Sequence, residues 1–446
     1  MNKYSEYRDS GIEWIGTIPR NWDIVPLKFS CSLKGRIGWN GLKSDEFKAN
    51  SYAYLVTGQD FSGQNIQWDK CYQIDKERYD EDPFIQLKNG DLLITKDGTI
   101  GKIAIVSDLD KPACLNSGIF VLKQTKHNYF PKFLYWLLSS KLLKDFNCVN
   151  SSGTTIQHLY QNVFENMPLL TPSLHEQELI ANYLDGKISA IQDVISQKND
   201  LLSQLSNYRT AVLSEYVSHG SNSKVVLKKT GNQFIPTIPE SWTIQKVLRC
   251  LEMPITDGPH TTPELFDDGI PFVSAEAVSC GNGRIDFNHI RGYISQEFYD
   301  ECCLKYIPRK DDIFMIKSGA TTGRVAIVDT DRKFTIWSPL AVFRSDKSKM
   351  LPMYLYYTLQ APLFQQQVEL GWSFGTQQNI GMRTLEQILI PVPSLEEQEQ
   401  IISRIQEKVV VIDECISETK SQLDDLEKYK QSVIYEAVTG RVRVSN

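Results

Sequence analysis

Several signatures of familiar chemistry are missing from this 446-residue sequence. Its nine cysteines form no CxxC pair, so neither a disulfide framework nor a thiolate zinc site is indicated. Six histidines, His127, His158, His175, His219, His260 and His289, show no HxxxH or HExxH spacing, and no metal site is expected. There is no GxxxxGK[ST] phosphate loop, no GxGxxG opening a helix after a strand, and no NPPF or DPPY tetrapeptide of the kind amino-methyltransferases use on a flipped base. ExK triplets at 46–48 and 418–420 are expected by chance in a chain this charged. A nuclease or methyltransferase in its own right is disfavoured, and no catalytic residue is assigned. No apolar run approaches the roughly 20 residues of a membrane span, so a cytoplasmic protein with no membrane partner is expected. A basic surplus is missing too: 48 Lys and Arg against 54 Asp and Glu leave a net charge of −6, where nucleic-acid binding leans on positive surface. The extra acid is confined to residues 173–217 and 393–446.

What is present is repetition. Thr17, Ile18, Pro19 and Trp22 return as Thr237, Ile238, Pro239 and Trp242. The run GDLLITKDGTIGKIAIV from Gly90 returns as DDIFMIKSGATTGRVAIV from Asp311, and PSLHEQ from Pro172 as PSLEEQ from Pro393. Too long a period for a solenoid, this is a duplicated domain pair. The first part of each copy has short apolar runs broken by Gly, Pro, Asn and Asp, which is strand and turn grammar. Asp97–Gly98 and Ser318–Gly319 supply turns, while Pro131 and Pro352 suit the first turn of a short helix. The expected boundaries are 1–172 and 221–392 for two mainly β domains, with long helices over 173–220 and 393–446.

Those helices carry a heptad seam. Leu184, Ile188, Ile191, Ile195, Leu202 and Leu205 recur in steps of three and four, and Ile405, Val409, Ile412, Ile416, Leu423 and Leu426 repeat them, with Lys198 and Thr419 in matching polar slots. Ser173 with Glu176 and Ser394 with Glu397 read as capping boxes, and Gly220 and Gly440 as stops. Paired seams would run antiparallel, a rod of about 60 Å at 1.5 Å per residue, with the β domains at its ends related by an approximate two-fold axis. The fold class expected is α+β, two mainly β domains separated by an antiparallel coiled coil.

Duplex DNA has matching symmetry, and paired readers contact half-sites about 34 Å apart. Lys34, Arg36, Lys43 and Gln59 in the first copy, and Thr256, Asp257, His260, Thr261 and Thr262 in the second, are groups that reach phosphates and base edges. Lys96 and Lys317, at the same place in the duplicated block, join them. So do Thr154, Thr155 and Gln157, and their counterparts Thr376, Gln377 and Gln378.

Taken together, WIGTIPRNW, its echo FIPTIPESW, the GDLLITKDGTIGKIAIV block and the two PSLxEQ-led heptad helices resemble the DNA specificity subunit of type I restriction-modification systems. The resemblance covers essentially the whole chain. It implies one target recognition domain per half of a split, asymmetric DNA sequence, with the helices as spacer and docking surface. It also implies two modification subunits and restriction subunits as partners, which would hold S-adenosylmethionine, ATP and magnesium, this chain binding no cofactor. Partners that wrap the duplex would share the phosphate neutralisation, which eases the charge problem. The alternative from another class is a scaffold that holds two protein partners apart without reading DNA.

Overall fold

The computed structural model describes residues 3–36, 42–150, 158–222, 224–374 and 378–444. They form two units, Met1–Lys198 with Ser421–Asn446, and Asn199–Lys420. The cuts fall inside both long helices, so each unit owns one β domain and a portion of each helix.

In the first unit the duplicated block builds a four-stranded antiparallel sheet in the order Ile103–Ile105, Leu92–Thr95, Ile119–Gln124, Cys31–Gly35. The side-chain period of two sends alternate residues to opposite faces, and here both faces are buried. Leu92, Ile94, Phe120 and Leu122 enter a core shared with the helices Pro131–Ser139 and Lys141–Asn150. Leu93, Ile119 and Val121 enter a second core. That core is closed by a three-stranded sheet in which Ala113–Leu115 runs parallel to Ala53–Val56, itself antiparallel to Tyr72–Ile74. Burying each Leu, Ile or Phe side chain stabilises by about 1.5–3 kcal/mol, which explains why the strands read as near-continuous apolar runs.

The second unit repeats the plan. Its main sheet runs Val325–Ile327, Ile313–Ile316, Leu340–Phe343, Thr256–Asp257, and its smaller sheet pairs Thr335–Ile336 in parallel with Ile270–Val273, which is antiparallel to Gly292–Ile294. Ile313, Met315, Ala341 and Phe343 face one core; Phe314, Ile316, Leu340 and Val342 face the other. Pro131 and Pro352 both stand in the first turn of a short helix, where the missing N–H costs nothing.

The long helices run Leu174–His219 and Leu395–Val438. Within the first unit Lys198 Nζ donates to Gln422 Oε1 at 2.5 Å and Lys430 Nζ to Gln192 at 3.5 Å, so the two segments lie antiparallel. Within the second, Arg209 pairs with Asp413 at 2.7 Å and Lys408 lies over the Tyr216 ring, again antiparallel. The heptad positions Leu184, Ile191, Ile195, Ile405, Val409 and Ile412 are buried, whereas Ile188, Leu205, Ile416, Leu423 and Leu426 are partly buried at the seam. Leu202 is partly exposed. Thr419 fills its polar slot by donating to the Cys415 carbonyl at 2.7 Å, so a buried hydroxyl keeps a partner.

Each helix start is fastened to its own β domain. The final Gln of PSLxEQ is fully buried in both copies. Gln177 donates to the carbonyls of Asn128 and Pro172 at 3.0 and 2.9 Å and accepts from the Phe130 N–H at 2.7 Å. Gln398 donates to the carbonyls of Lys349 and Pro393 and accepts from the Leu351 N–H at 2.7 Å. Ser394 and Glu397 complete a reciprocal capping box. At the first helix the Glu176 N–H bonds Ser173 Oγ, but the Glu176 carboxylate takes the Tyr4 hydroxyl at 2.6 Å instead of closing the box. Gly220 and Gly440 end the helices at positive φ, +79° and +69°.

Candidate nucleic-acid interface

One end of the main sheet gathers the expected polar groups in each unit. There the strand Leu92–Thr95 finishes, Ile119–Gln124 begins and Cys31–Gly35 finishes. Lys96 leads the hairpin out of this end. Its N–H donates to the Gly118 carbonyl at 2.9 Å and its carbonyl accepts from the Leu159 N–H at 3.1 Å. Lys317 is bracketed in the same way, donating to the Pro339 carbonyl at 2.8 Å and accepting from the Ile380 N–H at 2.9 Å. The duplicated sequence therefore places one lysine at one defined point in two different surroundings. Positive φ at Gly98 and Gly319 turns the hairpin back immediately after it.

The two surroundings differ in charge. In the first unit Lys96 Nζ lies 2.9 Å from Asp97 Oδ2 and 5.5 Å from the centre of the Phe120 ring, and Asp97 Oδ1 lies 2.8 Å from His158 Nδ1. Burial pushes the Asp97 carboxyl up, but hydrogen bonds from Lys96 and His158 outweigh it and hold it below the ordinary value. In the second unit the anion is Asp257, only 1% exposed. Lys305 Nζ lies 2.5 Å from Oδ1, while Lys317 Nζ and His260 Nε2 each lie 3.2 Å from Oδ2 without the alignment of a hydrogen bond there. Burial again raises this carboxyl, and Lys305 and Lys317 bring it below the ordinary value. One buried carboxylate thus orients two lysines and a histidine, and the His260 side chain remains largely in solvent.

The other expected residues separate. Lys34 is exposed, with Nζ 5.6 Å from the centre of the Phe84 ring, and Phe84 is itself 67% exposed. Gln59 is exposed beside Gly58, whose backbone abuts Thr95 at the same sheet end. Lys43 is exposed on a separate short turn whose N–H donates to Glu46. Thr256 is partly exposed on its strand, and Thr261 and Thr262 are exposed. Gln378 pairs by backbone with Phe374, and its carbonyl accepts from Gly319 N–H at 3.0 Å, so this segment folds against the lysine hairpin. Thr154, Thr155, Gln157, Thr376 and Gln377 lie outside the described residues.

Arg36 corrects the sequence reading. It is 3% exposed, and its Nε donates to the Leu115 carbonyl at 3.0 Å with Nη2 3.5 Å from Cys114 Sγ. A guanidinium committed to holding the two sheets together is not available to a base edge. Conversely, no local pattern signals Lys305 or His158, which reach their carboxylates from 48 and 61 residues away. Among the described residues no cluster of His, Cys, Asp and Glu could hold a metal ion. None of the described helices is long and apolar enough to cross a membrane.

A family model described as the type I restriction modification DNA specificity domain matches residues 39–204 and again 259–426. The specificity subunit of the type I restriction enzyme EcoBI of Escherichia coli is 25% identical over 358 residues, covering 79% of this chain and 73% of that subunit. The MjaVIII specificity subunit of Methanocaldococcus jannaschii is 24% identical over 435 residues, covering 96% and 95%. Among solved structures, a chain from work on complex assembly and conformational transition of the type I R-M system superposes with a TM-score of 0.68 at 18% identity, covering 95% of this chain and 99% of that one.

Proposed function

Starting from the fact that this chain belongs to the family of the type I restriction-modification DNA specificity domain, we propose that it reads a split, asymmetric DNA sequence with one β domain per half-site. The domains taken as readers are 1–172 and 221–392, and the long helices serve as spacer and as docking surface for modification and restriction subunits. The chain supplies specificity and not chemistry. S-adenosylmethionine, ATP and magnesium belong to the partners, and the assembly works in the cytoplasm. The observation that carries this reading is the bracketed lysine, Lys96 or Lys317, presented from the same sheet end in both units amid different neighbours. A shared scaffold fixes the approach to the phosphates, and differing loops beside it supply different base contacts.

Lys34, Lys43, Gln59 and Lys96 in the first unit, and Thr256, His260, Thr261, Thr262, Lys317 and Gln378 in the second, are the described residues offered to DNA. Co-expression with the modification subunit followed by mapping of methylated adenines tests the proposal. The expected pattern is one bipartite sequence with a fixed unspecified gap. Assembly with partner subunits but no sequence-specific modification would favour a protein scaffold instead.

A further inference from the structure

The hairpin that begins with Lys317 also borders a second feature, which the base-reading account leaves unused. Its far side, Thr322 to Arg324, lines an open cleft of about 680 Å³ whose other wall is formed by the second unit's own portions of the long helices. Among the described residues three cations line this cleft, Arg209, Arg324 and Lys420, against one acid, Asp413. Asp413 is already taken by Arg209, at 2.7 and 3.4 Å. Arg324 is exposed, and among the described residues its guanidinium donates to the Ser279 carbonyl alone, at 3.4 Å; Lys420 is exposed as well. The remainder of the lining is uncharged and largely polar, with serine, threonine, asparagine and glutamine side chains.

The internal duplication supplies an independent observation. In the aligned block Lys102 stands where Arg324 does, and on the long helices Lys430 stands at the position of Arg209. The adjoining acids and loops differ between copies: Asp97 faces Ser318, and Gln192 answers Asp413. Lys420 answers Asn199, but at the Arg324 and Arg209 positions a cation is kept in both copies while its neighbours change. That is the pattern of a sequence-independent contact, since phosphates are the same whichever bases are read.

We propose that this cleft holds backbone phosphates of the duplex adjoining the half-site read by the second unit, through Arg324 and Lys420. It rests on the reading of the chain as a DNA specificity subunit. Lys317 faces the half-site and Arg324 the flanking phosphates, so a single hairpin of eight residues serves both tasks. The cleft adds affinity and no base preference.

The test uses the full chain assembled with its modification subunits and a duplex carrying the methylated target. Affinity is measured across a salt series for the wild type, for Arg324→Gln with Lys420→Gln, and for Arg324→Lys with Lys420→Arg. Each phosphate contact contributes about 0.9 to the slope of log K against log salt, so the neutral double variant should flatten that slope by about 2. The methylated sequence should not change, and the charge-keeping variant should retain the wild-type slope. An unchanged slope in the neutral variant, with target preference intact, overturns the cleft while sparing the reading. A change in the methylated sequence also overturns it, because the cleft would then be reading bases. A wild-type assembly that prefers its target no more than unrelated duplex sinks the reading and the cleft with it. Thermal unfolding of each variant separates loss of contact from loss of fold.

Discussion

Replacing Asp257 by Asn keeps the shape of a buried side chain and deletes its charge. Lys317, whose side chain is 13% exposed, then faces no anion, and Lys305 loses its 2.5 Å partner. Breaking a buried ion pair costs about 3–5 kcal/mol. The Lys305 side chain is 49% exposed and regains water, which discounts its share, so the expected loss is about 2–3 kcal/mol. At roughly 2–4 °C per kcal/mol for a unit of this size, Tm should fall by about 5–10 °C. The carboxyl is held below its ordinary 3.8 because the Lys305 hydrogen bond and the neighbouring Lys317 charge outweigh burial, so its contribution is complete above that value and is lost as pH falls through the lower folded-state value. The variant should therefore lose stability at neutral pH and show a weaker acid limb below about pH 4. In the assembled complex, misaimed Lys317 and His260 should lower discrimination in the half-site of this unit by about 1–3 kcal/mol, or 5- to 150-fold, leaving the other half intact. Scanning calorimetry at neutral pH and target mapping read these out. A wild-type Tm together with undiminished discrimination in both halves would refute the idea that one buried anion aims the cations.

Leu184→Ala and Ile405→Ala each empty a fully buried seam position and should cost about 2–5 kcal/mol in urea unfolding, against less than about 1 kcal/mol for removing the part-exposed Arg209–Asp413 pair. Gly440→Ala should destabilise more than Gly11→Ala: both sit at positive φ, but a Cβ on Gly440 would meet the Pro19 ring at 2.4 Å whereas one on Gly11 meets nothing within 4 Å. Thermal melts of the two variants compare them directly. Inserting seven residues into both long helices should change the number of unspecified bases in the methylated target or abolish methylation, and an unaltered gap would remove the spacer role.

The sequence exposed most of the scaffold because duplication and periodicity are local signals. Leu92–Thr95 and Ile313–Ile316 could be read as strands from their apolar runs, and Leu184 and Ile405 as seam residues from steps of three and four. The cap residues Ser394 and Glu397 were equally legible, since their partners lie three residues apart. The site was less so. Arg36 reads as a base contact because nothing local reveals that its side chain, just past the strand Cys31–Gly35, turns inward to Leu115. Lys305 carries no local signal, because only the fold brings it to Asp257. Long-range electrostatics depends on tertiary placement, which no short window records. Tyr4 taking the Glu176 carboxylate, 172 residues away, diverted a capping box for the same reason.

Gln177 and Gln398 have a consequence for how such a protein can change. Every atom they grip outside their own side chains is main chain: carbonyls of Asn128, Pro172, Lys349 and Pro393, and the N–H groups of Phe130 and Leu351. A latch that recognises only peptide groups is indifferent to the residues of the module it secures. New surface loops can be grafted or shuffled above it without loosening the joint, so evolutionary variety in what is read comes without renegotiating how the reader is mounted.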